Sequence, residues 1–168
     1  MDSVEKQRNY ELAEKLLSEQ NFGAAVIAGV VAIILSAGIY GIVKSLSEGL
    51  YYTILAAGIG VVIGFTMQFL GRGIDRKFAL VASVYALLGC VLGNMFAVVM
   101  HVARATVVSP FDVLLNTAIS ELYRWMFTDL HFADLMFWII GIGGAAYFAR
   151  RPLTREEGLA LHTYKMRH

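Results

Sequence analysis

Apolar residues in this chain come in long unbroken runs rather than in alternation. Charge-free stretches cover residues 22–43, 50–70 and 78–100, separated by the short polar segments KSLSEG and GRGIDRK. As a helix rising about 1.5 Å per residue, each run is long enough to cross a hydrocarbon layer of about 30 Å. A fourth stretch opens with His131 and Asp134 but is uninterrupted from Leu135 to Ala149. The pattern predicts spans over 22–43, 50–70, 78–101 and 130–149. Between the third and fourth, in SPFDVLLNTAISELYRWMF, the periodicity changes. Phe111, Leu114, Leu115, Ala118, Ile119, Leu122 and Met126 share one helical face, opposite Asp112, Asn116, Ser120, Glu121 and Arg124. Ser109 as N-cap, Pro110 at the first helical position and Asp112 in the first turn start an amphipathic helix over 110–127. Such a helix lies along the membrane surface or across the end of the bundle. The predicted fold is all-α, an integral membrane four-helix bundle with an interfacial helix between spans three and four.

The flanking segments are polar. Residues 1–21 mix five acids with three bases, unlike the short basic start of a secretory signal, and Leu12, Leu16 and Leu17 give them a narrow apolar edge. Residues 150–168 contain Pro152, which stops the last span, and the capping-box pattern Thr154/Glu157. With both ends on one side, eleven Lys and Arg fall on that side: Lys6, Arg8, Lys15, Arg72, Arg76, Lys77, Arg150, Arg151, Arg155, Lys165 and Arg167. Lys44, Arg104 and Arg124 fall on the other. The positive-inside rule then predicts cytoplasmic termini and an even number of crossings.

Composition agrees with an apolar solvent: 58% of residues are hydrophobic and 16% charged. The net charge of +1, without a basic stripe, argues against a nucleic-acid partner. A lone cysteine, Cys90, excludes a disulfide framework or a cysteine zinc site within one chain.

The segment AAGIGVVIG, 56–64, has the glycine density of a dinucleotide-binding turn, and Asp75 follows Gly58 by 17 residues. A loop there would leave unpaired amides inside a charge-free run, at several kcal/mol each. Close helix packing accounts for more. Ala56, Gly60 and Gly64 recur every four residues, as do Ala25 and Gly29, then Gly89, Gly93 and Ala97, then Gly141 and Ala145. Small residues at this spacing make flat faces on which another helix, of this chain or a partner, can approach closely.

Polar residues inside spans mark candidate function. Asn94 shares a helical face with Ala86, Cys90, Ala97 and His101, while Gln68 lies near the other side of the bilayer. Asn94, Gln68 and His101 are candidates for interhelical hydrogen bonds or a polar path. His101, Asp129, His131 and Asp134 are weak candidates for a metal site, set against capping and interfacial roles. Arg72, Arg76 and Lys77 form a candidate anionic-lipid cluster. No pairing of nucleophile with base, and no paired intramembrane carboxylates, points to an enzyme. No cofactor is expected.

In residues 71–94, GRGIDRKFALVASVYALLGCVLGN, and 134–151, DLMFWIIGIGGAAYFARR, the chain resembles small multi-spanning bacterial inner-membrane proteins of uncharacterised function. Some of those carry an N-terminal zinc ribbon, whereas residues 1–21 here contain no cysteine. The resemblance implies a bacterial inner-membrane setting and no activity. The expected role is a non-enzymatic membrane subunit that oligomerises, or joins a membrane partner, through its small-residue faces. The alternative is an oligomeric channel or small-solute transporter with a polar path near Asn94.

Overall fold

The computed structural model describes residues 3–46, 54–128 and 130–166, and every regular element among them is a helix. In chain order these are α1 (Ser3–Ser18), α2 (Phe22–Leu46), α3 (Ile54–Gly71), α4 (Arg76–Thr106), α5 (Pro110–Asn116), α6 (Ile119–Thr128), α7 (Phe132–Phe148) and α8 (Arg155–Lys165). Three of them, α2, α3 and α4, are long and apolar enough to cross a membrane. The pair α6 and α7 reaches that standard only when taken together across a bend of 102°. Residues 50–53 of the second predicted span, residues 47–49 of the KSLSEG linker, Asp129 and Arg167 lie outside the described residues.

Two boundaries differ from the sequence expectation. The helix α2 continues past residue 43 to Leu46 and so takes in Lys44, while α4 begins at Arg76 and runs past 101 to Thr106. At 31 residues α4 is about 46 Å long, more than a hydrocarbon core requires.

The four long apolar helices pack around one another, α2 against α4 and α3, and α7 against α3 and α4. Their shared core holds Tyr40, Ile63, Met67, Phe78 and Trp138 among many alanines. Large apolar side chains such as Ile27, Ile34, Ile39, Phe69, Leu80 and Ile139 point outward. In a lipid solvent such residues gain nothing by burial against another helix, so contact between helices depends on fit.

That fit comes from residues with little or no side chain. A Cβ on Gly60 would fall onto the backbone of Gly141, one on Gly64 would lie 2.9 Å from Ala145 O, and one on Gly141 would lie 2.8 Å from Ala56 O. The backbones of α3 and α7 are therefore in direct contact along Ala56, Gly60 and Gly64 on one side and Gly141 and Ala145 on the other. Elsewhere large side chains fill the space: the Tyr85 ring lies against Gly29, Tyr40 against Gly93, and Ile59 against Gly89. Ala25 and Ala97 are also buried. Gly58, the remaining glycine of AAGIGVVIG, has open space around its Cβ position.

The helix predicted over 110–127 is two helices. Thr117 adopts extended backbone angles between α5 and α6, and its amide donates to Val113 O. The reason lies in packing. Val113 and Leu122 both cover Val99 and Ala103 of α4, yet nine residues apart on a straight helix they would face opposite ways. A break reconciles them. It leaves Phe111, Leu115 and Ile119 exposed instead of packed on the bundle.

At the opposite end α1 packs on α8 through Ala13, Leu16, Ala160 and Leu161. The GRGIDRK turn holds both ends of the chain to that side: Asn21 N–H donates to Gly71 O (2.9 Å) and Arg151 N–H to Gly73 O (2.8 Å). Thr154 and Glu157 form the capping box that starts α8.

Candidate functional site

Each long helix carries its buried side chains as a stripe three to four residues apart, and three of those stripes include a polar residue. On α2 the stripe runs Ala25, Gly29, Ile33, Ala37, Tyr40, Lys44; on α4 it runs Ala86, Cys90, Asn94, Ala97; on α7 it runs Asp134, Trp138, Gly141, Ala145. The bundle brings Lys44, Asn94 and Asp134 together near one end.

Lys44 Nζ donates to Asn94 Oδ1 and lies 3.6 Å from Asp134 Oδ2. Tyr40 Oη donates to the same Asn94 oxygen over 3.4 Å. Asp134 Oδ2 also accepts from the His131 amide (3.0 Å), which closes the first turn of α7. Asn94 is 1% exposed and Asp134 0%. Opposite charges placed this deeply attract strongly because little water screens them, and they fix the three helices relative to one another. Asp134 Oδ1, Asn94 Nδ2 and Trp138 Nε1 are buried and have no hydrogen-bond partner among the described residues.

Two sequence readings change here. Asp134 is more than a helix-start acid favoured by the dipole, because its carboxylate reaches Lys44 on another helix. Lys44, read as a linker cation, is a buried member of the cluster. The signal was available, since Lys44 continues the buried spacing of α2 four residues beyond Tyr40.

The other candidates lie apart from this cluster. His101 is exposed on α4, because beyond Ala97 the buried face of that helix turns towards Val99 and Ala103 under α5 and α6. His131 Nδ1 is 4.0 Å from Asp134 Oδ2, its side chain 63% exposed. Among the described residues no three His, Cys, Asp or Glu side chains come together as a metal would require, and Asp129 lies outside those residues. Gln68 is half-buried at the α1/α8 end, beside Arg150 and Arg151. Of the GRGIDRK cations, Arg72 pairs with Glu19 (3.4 Å), Lys77 pairs with Asp75 (3.4 Å), and Arg76 is exposed. Arg104 donates to the Ser45 carbonyl near the end of α2 (2.7 Å), an arrangement favoured by the negative end of the helix dipole.

Four groups inside the long helices that could act as nucleophiles are engaged with backbone. Ser36, Thr66 and Ser83 each donate to the carbonyl four residues earlier, and Cys90 Sγ faces Ala56 O at 3.8 Å.

These features define an all-helical protein with three helices able to span a membrane and a buried, charged cluster that joins two of them, α2 and α4, to α7. No family model, curated protein or solved structure matches the chain.

Proposed function

We propose that this chain is a non-enzymatic integral membrane subunit: a four-span bundle with α7 as the fourth crossing, locked near one end by Lys44, Asn94 and Asp134. The observation that carries this reading is the enclosure of Asn94, which is 1% exposed and hydrogen-bonded by two side chains of α2. A residue lining an aqueous path would face water. The small-residue faces are occupied within the chain, so contacts with a second copy or a partner fall on the outward surfaces of the bundle. Packing of α1 on α8, with the basic GRGIDRK turn at the same end, supports cytoplasmic termini, and the bacterial inner-membrane setting rests on the resemblance of residues 71–94 and 134–151.

A second reading, a transporter that works through this cluster, is favoured by one feature: Asp134 Oδ1, Asn94 Nδ2 and Trp138 Nε1 are buried with no partner among the described residues. Buried polar atoms of this kind cost about 1–3 kcal/mol each and suit a passing polar guest. Reconstitution separates the two. The subunit reading expects a stable oligomer or a co-purifying partner in nanodiscs, and liposomes that hold sodium, potassium and proton gradients. Ion flux abolished by Asn94→Leu in a protein that still folds would replace it with the transporter reading.

A further inference from the structure

The ends of α3 and α7, with residues 150–153, line an open groove of about 480 Å³, a volume within the range of small-molecule sites. Its lining has two characters. Phe65, Tyr147 and Phe148 form an aromatic wall, with Phe65 and Phe148 stacked at 4.5 Å and Tyr147 edge-on to Phe148 at 5.1 Å. Gln68, Arg150 and Arg151 supply polar donors at the rim. Arg151 is committed elsewhere, its backbone amide to Gly73 O and its guanidinium to Glu157 Oε1, both at 2.8 Å. Arg150 is exposed and, among the described residues, has no carboxylate within ion-pair distance.

We propose that this groove binds an anionic phospholipid, with the phosphate on the Arg150 guanidinium and the Gln68 amide, and an acyl chain along Phe65 and Tyr147. The inference rests on the reading of α7 as a span, which places Arg150 at the lipid–water boundary. Charge complementarity selects the head group: a guanidinium presents paired donors that match phosphate oxygens, and no described carboxylate neutralises this one. The aromatic wall selects an amphiphile over a soluble anion, since Tyr147 and Phe65 are 74% and 47% exposed beside the polar rim. The site differs from the Arg72, Arg76 and Lys77 cluster, where two of the three cations are paired with acids.

The test is native mass spectrometry of the full chain released from nanodiscs of equal phosphatidylglycerol and phosphatidylcholine. The expected result is retention of phosphatidylglycerol over phosphatidylcholine by about fivefold, the effect of one basic residue at a membrane surface. Arg150→Ala removes the preference, Arg150→Lys restores part of it, and Arg76→Ala leaves it unchanged. Circular dichroism and a thermal melt establish that each variant is folded. Equal retention of the two lipids, an equal loss in Arg76→Ala, or displacement of the lipid by millimolar inorganic phosphate overturns the proposal. The span reading is checked separately by impermeant thiol labelling of His131→Cys and Arg155→Cys in sealed vesicles. Labelling of both from one side defeats that reading whatever the lipid result.

Discussion

Lys44, near the end of α2, and Asp134, in the first turn of α7, face each other at 3.6 Å with side chains 6% and 0% exposed. Neither helix packs extensively on the other, since α4 and α3 lie between them in the pattern of contacts. The pair, with Asn94 of α4 beside it, joins helices that are otherwise connected through their neighbours.

Removing one charge of this pair is expected to cost more than removing both. Asp134→Leu should lower the unfolding free energy by about 3–5 kcal/mol, because it leaves the Lys44 ammonium buried beside an apolar group. The double variant Lys44→Met/Asp134→Leu should recover most of that loss. Denaturant unfolding in detergent, followed by circular dichroism, measures both. Additive losses would show that the two residues do not act together.

Asn94→Leu is expected to destabilise the bundle by about 1–3 kcal/mol, since Lys44 and Tyr40 both lose an acceptor. Asn94→Asp retains an oxygen acceptor and should be milder. The same unfolding assay ranks the two, and the reverse order would remove Asn94 Oδ1 from the account.

At the contact between α3 and α7, Gly60→Ala should destabilise by about 1–3 kcal/mol through overpacking, because its methyl would occupy the place of the Gly141 backbone. Gly58→Ala, two residues away with open space, should change stability by less than about 0.5 kcal/mol. Thermal melts of the two variants give the comparison. Equal effects would mean that helix propensity, and not contact, governs both positions.

Cys90 is 0% exposed in the centre of the bundle. A maleimide should label it only after denaturation, because thiol reactivity needs access as well as a thiolate. Rapid labelling of the folded protein would show that the packing around Ala86 and Asn94 is open.

Val107 ends α4 with φ 56°, a left-handed conformation that a β-branched residue adopts at a cost. Its side chain is 93% exposed, so little packing compensates. Val107→Gly should raise stability by about 1 kcal/mol. A lowered melting temperature would contradict the left-handed cap.

The sequence by itself determined that this is an all-helical chain with three helices able to cross a membrane. It also located the Ser109 and Thr154 caps that start α5 and α8. Those features depend on runs of apolar residues and on contacts within a few positions along the chain. Only the tertiary structure decided the rest. Lys44 looked like a linker cation because linear hydropathy ends a span at the first charge, whereas the helix continues when partners on two other helices receive the ammonium. The 110–127 segment looked continuous because its apolar residues fit one helical face. It breaks at Thr117 because Val113 and Leu122 both pack against α4. A spacing along one helix names the face that is buried, but which polar group meets that face depends on helices distant in sequence.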